Sequence, residues 1–459
     1  MCGIVGVYYP DAELAPRLAY YALFSLQHRG QESAGLASYD NLIRYKKGMG
    51  LVTEVFSDED FDLLAGRSVI GHVRYSTTGL SRIENAQPFV VKSKAGFIAV
   101  AHNGNLVNYT LLRNQLENEG RVFTTNSDTE IITQLLSKFL LGNGDVINAL
   151  ENLNSVLIGS YTMTMLVDDT LIGYRDPVGF KPLCVGELDD GYIICSESCA
   201  IDALGGKFVR DVEPGEAVIV RDGEIEFQRI AESKRRATCI FEYIYFARPD
   251  SIIDGISVYE ARTQMGKILA RESPVDADYV SAVPDSGITA AIGYAEESGL
   301  PYMESLIKNR YVGRTFIMPA QTLRELSVRL KVNVVRGNVE GKKIVLVDDS
   351  IVRGTTSKRI IEMIKNSGAK EVHVRIGSPP IVAPCYFGID MKTREELIAA
   401  NHTVEEIGKI MGADSLAYLS LSGLLEAIKK AGGRKDYCLA CLTERYPVPV
   451  PGEIYDSPS

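Results

Sequence analysis

Hydrophobic and polar positions follow two rhythms along this chain. From Met1 to about Val220, short β-branched and apolar runs such as VYYP, SVIGHV, GFIAVAH, SYTMTMLV, LIGY and YIICSES are separated by Gly, Asn and Asp turns. Runs of that length between turn residues predict many strands. Two longer stretches carry helical spacing instead, over Ala15–Leu26 and Asp128–Leu141. In the second, Ile131, Ile132, Leu135, Leu136 and Phe139 form one apolar stripe, and Ser127 or Asp128 can cap its start. This region reads as strand-rich layers flanked by helices.

After the basic, polar stretch Glu232–Arg236 the rhythm changes to apolar strand, loop, then helix. YVSAVPDSGITAAIGYAEES and KKIVLVDDSIVRGTTSKRIIEMIKNSG, the latter followed by EVHVRIGSPP, show it twice. Uniformly apolar strands alternating with helices predict a parallel sheet covered on both faces. The domain boundary is therefore placed between residues 2–230 and 231–459. The Pro-rich tail from Pro447 is expected to run as an extended surface segment.

At 459 residues the chain is long enough for two or three domains. Its 46% hydrophobic and 24% charged content excludes a disordered chain. No window approaches the apolar length of a membrane span, and no basic-then-apolar leader opens the sequence, so a cytoplasmic protein is expected. The 49 basic and 59 acidic residues leave a net charge of −10, which disfavours nucleic acid as a partner. Eight cysteines are too sparse for a disulfide framework at this size, so they are read as buried thiols, ligands or nucleophiles.

Cys2 precedes an apolar run, Gly3-Ile4-Val5-Gly6-Val7, that would seat its thiol at the head of a strand. With Met1 removed, Cys2 carries both a thiol and a free α-amine, nucleophile and base on one residue. GHVRYSTTG supplies Arg74, whose planar fork can hold a carboxylate. AHNGNL supplies Asn103 and Gly104, a side-chain amide and a backbone N–H suited to an oxyanion hole. TNSDTE supplies Asp128, an acceptor for an ammonium group. Taken singly, the same residues also suit a surface salt bridge at Arg74, a type I′ turn at Asn103-Gly104 and a helix cap at Asp128.

The order CGIVG, LQHRGQES, GHVRYSTTG, HNGN and TNSDTE resembles class II glutamine amidotransferases of the N-terminal-nucleophile hydrolase fold. The resemblance spans roughly residues 2–230. It implies a four-layer αββα domain of the α+β class, attack of the Cys2 thiol on the glutamine carboxamide, and release of ammonia through a glutamyl thioester. It further implies that Arg74 and Asp128 hold the glutamine carboxylate and amino groups, and that Asn103 and Gly104 stabilise the oxyanion.

In the second half, KKIVLVDDSIVRGTTS runs from an apolar strand into Asp348 and Asp349, then into a loop ending at Gly354, Thr355, Thr356 and Ser357. Hydroxyls and backbone N–H groups at a helix start form a cradle for a phosphate dianion. Acids at the end of a parallel strand can accept from ribose hydroxyls or reach magnesium-bound water. The stretch VLVDDSIVRGTTS resembles the phosphoribosyl pyrophosphate signature of type I phosphoribosyltransferases, an α/β fold. With VPDSG and KNRYVGRTFI, the whole chain resembles the glutamine phosphoribosylpyrophosphate amidotransferase family.

That resemblance implies that Asp348 and Asp349 bind ribose and, with Ser286, Mg²⁺. It assigns Arg353 and residues Gly354 to Ser357 to phosphoribosyl pyrophosphate, the last four to its 5′-phosphate. Residues Lys308 to Phe316 would form a closing flap, with Lys308, Arg310 and Arg314 near the pyrophosphate. The family also implies a homotetramer and inhibition by purine nucleotides.

Cys438 and Cys441 form a Cys-x-x-Cys pair, which by itself is compatible with redox, zinc or incidental roles. Cysteine ligation suits either zinc or an iron–sulfur centre, and spacing does not choose between them. One group within the resembled family ligates a structural [4Fe–4S] cluster at positions matching Cys239, Cys385, Cys438 and Cys441. Cys184, Cys195 and Cys199 are read as inert buried thiols.

The activity expected is hydrolysis of glutamine coupled to transfer of ammonia to C1 of phosphoribosyl pyrophosphate. The alternatives are the same glutaminase joined to a sugar-phosphate isomerase, which the phosphoribosyl signature opposes, and a non-catalytic purine-responsive regulator, which the acidic charge and the Cys2 motifs oppose.

Overall fold

The computed structural model describes residues 1–75, 81–309, 331–434 and 436–455. Among these residues the first half forms two antiparallel sheets. One runs in the order Lys207–Asp211, Cys184–Leu188, Gly191–Cys195, Gly3–Tyr8, Ser68–Arg74, Ser33–Asp40 and Leu42–Met49. The other runs Glu224–Arg229, Glu216–Arg221, Thr170–Tyr174, Gly159–Val167, Gly96–Leu106 and Phe89–Ser93.

Alternation along the strands sends side chains to opposite faces, and the buried clusters follow that alternation. Ile4, Ile70, Ala101, Leu166, Leu171 and Val218 meet between the two sheets. Val5, Val7, Val69 and Val73 turn outward onto the helix Leu14–Ser25. Val100, Met163 and Met165 turn outward onto the helices Asp128–Asn143 and Val146–Val156. Helix, sheet, sheet and helix are thus stacked as αββα.

Both helices expected from the spacing are present, with shifted ends. The first spans Leu14–Ser25. The second runs two residues beyond Leu141 to Asn143, where Gly144 adopts φ +72° and stops it. Its cap is Ser127, whose Oγ accepts from the Thr129 N–H at 3.3 Å. Ile131, Ile132, Leu135 and Leu136 are buried, while Phe139 lies only at the edge of that core.

The second half centres on a parallel sheet ordered Tyr279–Ala282, Lys343–Asp348, Glu371–Ile376 and Ser415–Tyr418. Val345 and Val347 face the helices Val258–Glu272, Ile288–Ser298 and Leu421–Lys430. Ile344 and Leu346 face Thr355–Asn366 and Val404–Met411 on the other side. Covering both faces explains why these strands read as continuous apolar runs. The first two helices cross so closely that a Cβ on Gly266 would stand 1.9 Å from the Ala290 carbonyl oxygen.

The tail departs from the extended surface course expected after Pro447. It folds back, burying Val450 and pairing Ile454–Tyr455 in parallel with Arg445–Tyr446. The reason lies in side chains the Pro-rich pattern obscures: Glu453 accepts twice from Arg394, at 2.9 and 2.8 Å, and once from the Tyr386 hydroxyl.

Candidate active sites

The strand Gly3–Tyr8 lies between two neighbours in the first sheet, so Cys2 enters the protein interior and is only 7% exposed. Its N–H donates to Asn103 Oδ1 at 3.2 Å, its thiol to the Tyr75 carbonyl at 3.8 Å, and its own carbonyl accepts from Arg29 Nε at 3.0 Å. Asn103 therefore uses its oxygen on the cysteine backbone. Its Nδ2 is buried with no partner among the described residues, a donor left for a developing oxyanion.

Asn103-Gly104 is not a turn. Both residues sit inside the strand Gly96–Leu106, opposite Thr162 and Tyr161. Gly104 has φ +154°, and a Cβ there would stand 2.0 Å from the Ser160 carbonyl oxygen, so only glycine fits. The surface reading of Arg74 also fails. Arg74 is buried at the end of Ser68–Arg74 and donates to Glu32 Oε1 at 2.5 Å.

Asp128 is the first residue of its helix rather than the cap, and its Oδ2 accepts from the Leu106 N–H at 3.0 Å. Burial works to raise its pKa, but His102, 3.7 Å from Oδ1, and the N–H groups of Leu106 and Thr129 together make the net shift downward. The same contact raises the His102 pKa against its own burial. His72, by contrast, is pushed down to about 3 by burial and so stays neutral. The Met1 α-amine, one residue before Cys2, is also buried, which pushes it down to about 5 from 8.0. An amine so depressed is a free base at neutral pH.

Three residues at this site escaped the sequence reading: Glu32, His102 and Tyr75. Each lies inside a quoted motif, but their roles depend on partners elsewhere in the chain.

The second site opens at the carboxyl ends of the parallel strands, as α/β sheets favour. A cavity of about 460 Å³ is lined by Ser286, Asp348, Asp349, Arg353, Gly354, Thr355, Thr356 and Ser357. Asp348 ends its strand, and its pKa is raised by burial and by neighbouring Asp349. The Asp349 N–H donates to Asp348 Oδ1 at 2.9 Å, and Ser350 Oγ to Asp349 Oδ2 at 2.6 Å. Gly354, at φ +73°, precedes the twelve-residue helix Thr355–Asn366, which carries no side-chain cap. Arg353 pairs with Glu396, and Lys308 Nζ donates to Asp285 Oδ2 at 2.6 Å. Arg310, Arg314 and the rest of the expected flap to Phe316 lie outside the described residues.

Aromatic groups the sequence reading left unassigned complete this cavity: Phe241, Tyr245 and Phe246 from the run IFEYIYF, and Tyr75 from the first half. Tyr75 thus holds the Cys2 thiol with its backbone and borders the second cavity.

Cys239, Cys438 and Cys441 are buried and Cys385 is half-buried. Cys239 lies directly opposite Cys438 in a short parallel pairing, and the Cys441 carbonyl accepts from the N–H groups of Val382 and Ala383. Phe180 stacks on Phe387 at 4.3 Å, and the Phe387 N–H donates to Cys385 Sγ at 3.4 Å. Burial, reinforced by Cys385, Cys438 and Cys239, pushes the Cys441 thiol pKa well up. Among the described residues no three His, Cys, Asp or Glu side chains are close enough to share one metal ion. Cys184, Cys195 and Cys199 are buried in the first half, with Cys184 and Cys195 Sγ atoms 3.7 Å apart. No helix among the described residues is long and apolar enough to cross a membrane.

Residues 72–203 match the model of a glutamine amidotransferase domain. Over 453 residues the chain is 81% identical to an amidophosphoribosyltransferase of Archaeoglobus fulgidus, covering 99% of each chain. It is 55% identical to the amidophosphoribosyltransferase of Methanocaldococcus jannaschii, covering 98% of each. A solved glutamine phosphoribosylpyrophosphate amidotransferase from B. subtilis, complexed with ADP and GMP, superposes with a TM-score of 0.91 at 49% identity over 98% of both chains.

Proposed function

The chain belongs to the amidophosphoribosyltransferase family, and from that premise we propose how its two sites divide one reaction. The reaction hydrolyses glutamine and transfers the ammonia to C1 of phosphoribosyl pyrophosphate. Its products are 5-phosphoribosylamine, glutamate and pyrophosphate, and it opens purine biosynthesis.

After loss of Met1, the buried α-amine of Cys2 takes the thiol proton and the sulfur attacks the glutamine carboxamide carbon. Arg74 holds the substrate carboxylate and Asp128 its ammonium group. The oxyanion forms against Asn103 Nδ2 and the Gly104 N–H. Collapse breaks the C–N bond, ammonia leaves with the proton returned by the amine, and water hydrolyses the thioester to glutamate. The observation that carries the coupled reading is Tyr75, which touches the thiol and lines the phosphoribosyl cavity.

In that cavity Gly354 to Ser357 cradle the 5′-phosphate, with Arg353 beside them. The family resemblance assigns Lys308, Arg310 and Arg314 to the pyrophosphate. Asp348, Asp349 and Ser286 offer hard oxygen donors of the kind Mg²⁺ takes, and burial together with neighbouring Asp349 raises the Asp348 pKa, a cost that a bound cation would offset. When bound, Mg²⁺ neutralises charge on the departing pyrophosphate.

Cys239, Cys385, Cys438 and Cys441 form an all-sulfur donor set around one buried region. A zinc site would need sulfurs about 3.8 Å apart, given Zn–S bonds near 2.3 Å. A [4Fe–4S] centre takes each thiolate on a different iron, and the family resemblance at these four positions supports the cluster over zinc. Lys181, fully buried beside Cys239, Cys385 and Cys438, places a cation where an anionic centre would lie. The centre would tie the tail to the transferase half. The nucleotides in the B. subtilis complex support inhibition by purine nucleotides, and the family resemblance supports a cytoplasmic homotetramer.

The test follows glutamate and pyrophosphate together on anaerobically purified protein given glutamine, Mg²⁺ and phosphoribosyl pyrophosphate. One-to-one production requiring both substrates is expected; glutamate without pyrophosphate would send the search to another ammonia acceptor. Iron and sulfide per chain, measured on the same sample, test the cluster, and their absence after reconstitution would remove it.

A further inference from the structure

A buried ion-pair network outside the reacting groups joins the two halves. Arg29 donates through Nε to the Cys2 carbonyl at 3.0 Å. Its two terminal nitrogens grip Glu242 in a bidentate pair, Nη1 to Oε2 at 3.0 Å and Nη2 to Oε1 at 2.8 Å, and Nη1 also donates to Glu197. The Arg29, Glu197 and Glu242 side chains are all fully buried. Arg29 and Glu197 belong to the first half and Glu242 to the second, 213 residues from its partner.

A guanidinium with all three of its nitrogens engaged cannot rotate without breaking a charge-assisted hydrogen bond in a dry interior. The Glu242 grip thereby fixes the plane of Arg29, and with it the carbonyl of the nucleophile. Glu197 does not replace that grip. It shares one oxygen between Arg29 and His28, and gives the other to the Arg248 N–H and the Ser251 hydroxyl. Glu242 also opens the π-helical turn Glu242–Phe246, whose far end supplies Tyr245 and Phe246 to the phosphoribosyl cavity.

We propose that Glu242 is a positioning residue for glutamine hydrolysis, contributed by the transferase half and acting on Cys2 through Arg29. The proposal rests on Cys2 being the glutaminase nucleophile. A buried pair kept for stability alone would affect both activities of the enzyme; a positioning pair affects the glutamine reaction selectively.

The test compares wild type, Glu242→Gln and Glu242→Asp as full chains, with glutamine and then with ammonia as nitrogen donor. Glu242→Gln keeps the shape and removes the charge. It is expected to lower the glutamine-dependent kcat about 100-fold, the effect of roughly 1 Å of misplacement at a reacting group. The KM for glutamine and the ammonia-dependent rate should stay within about twofold of wild type. Glu242→Asp should recover part of the loss. A wild-type kcat in Glu242→Gln, or a parallel fall with both donors, overturns the proposal. Should Glu242→Gln fail to fold, Arg29→Lys keeps the charge without the fork and is expected to show the same split, with a parallel fall again decisive against it. Cys2→Ala separates the premises: glutamine turnover surviving there removes the Cys2 reading itself, whereas an inactive Cys2→Ala beside a normal Glu242→Gln removes only the role of Glu242.

Discussion

The two sites solve opposite problems with different parts of the fold. Around Cys2 the groups that would meet glutamine are largely buried and held by partners from elsewhere in the fold: Asn103 on the cysteine N–H, Glu32 on Arg74, and Leu106 and His102 on Asp128. The phosphoribosyl cavity is an open space of about 460 Å³ built largely from one contiguous loop, with its acids hydrogen-bonded to each other and their neighbours. Attack on an unactivated amide needs a nucleophile fixed within a fraction of an ångström, which antiparallel sheets provide. Binding a polyanion needs N–H groups and hydroxyls at a helix start, which a short loop provides by itself.

The contrast breaks most sharply at Cys2. Cys2→Ala is expected to remove glutamine-dependent turnover, a loss on the order of 10⁴ or more as for other nucleophile deletions, while ammonia-dependent synthesis continues. Loss of both rates would mean the sites are not separate. Asn103→Ala removes the buried donor and should cost about 10²- to 10³-fold in glutamine kcat, again sparing ammonia-dependent turnover; an unchanged kcat would place the oxyanion elsewhere.

Asp348→Asn probes the other side of the comparison. It is expected to lower phosphoribosyl transfer with either donor by about 100-fold, the scale of a lost electrostatic clamp, and to leave some glutamine hydrolysis. Transfer surviving unchanged would mean the loop has been misassigned.

The smallest effect is a shift in pH dependence. An amine is a base only when deprotonated, and burial lowers an amine pKa, as it does for the adjoining Met1 amine, pushed down to about 5 from 8.0. With the Cys2 nitrogen equally enclosed, glutamine kcat/KM should stay full at neutral pH and fall only on an acid limb below the ordinary amine value of 8.0. An acid limb near pH 8 would show that the amine is solvated or not the base.

The phosphoribosyl loop was legible because its function is local. Asp348, Gly354 and Ser357 lie within ten residues, and a strand followed by a helix suffices to bring them together. Strand-rich layers flanked by helices were legible through short apolar runs between turn residues, their αββα stacking only through the family resemblance, and the parallel sheet through its continuous runs. The turn alternative and the tail expectation failed for local reasons: Asn-Gly resembles a turn until the strand pairing with Thr162 and Tyr161 is formed, and a Pro-rich tail resembles an extended surface segment until Glu453 meets Arg394.

By itself the sequence determined the residues to which the proposed chemistry is assigned: a cysteine at position 2, an amide and glycine in HNGN, paired acids before a hydroxyl-rich loop, and four cysteines in the second half. Tertiary structure alone decided how they are held. Arg29 lies 213 residues from Glu242, Cys2 lies 101 from Asn103, and Tyr75 reaches from one half into the cavity of the other. Such contacts arise from strand register and the packing of whole layers. Those are set by the summed burial of many side chains, and no short stretch of residues encodes them.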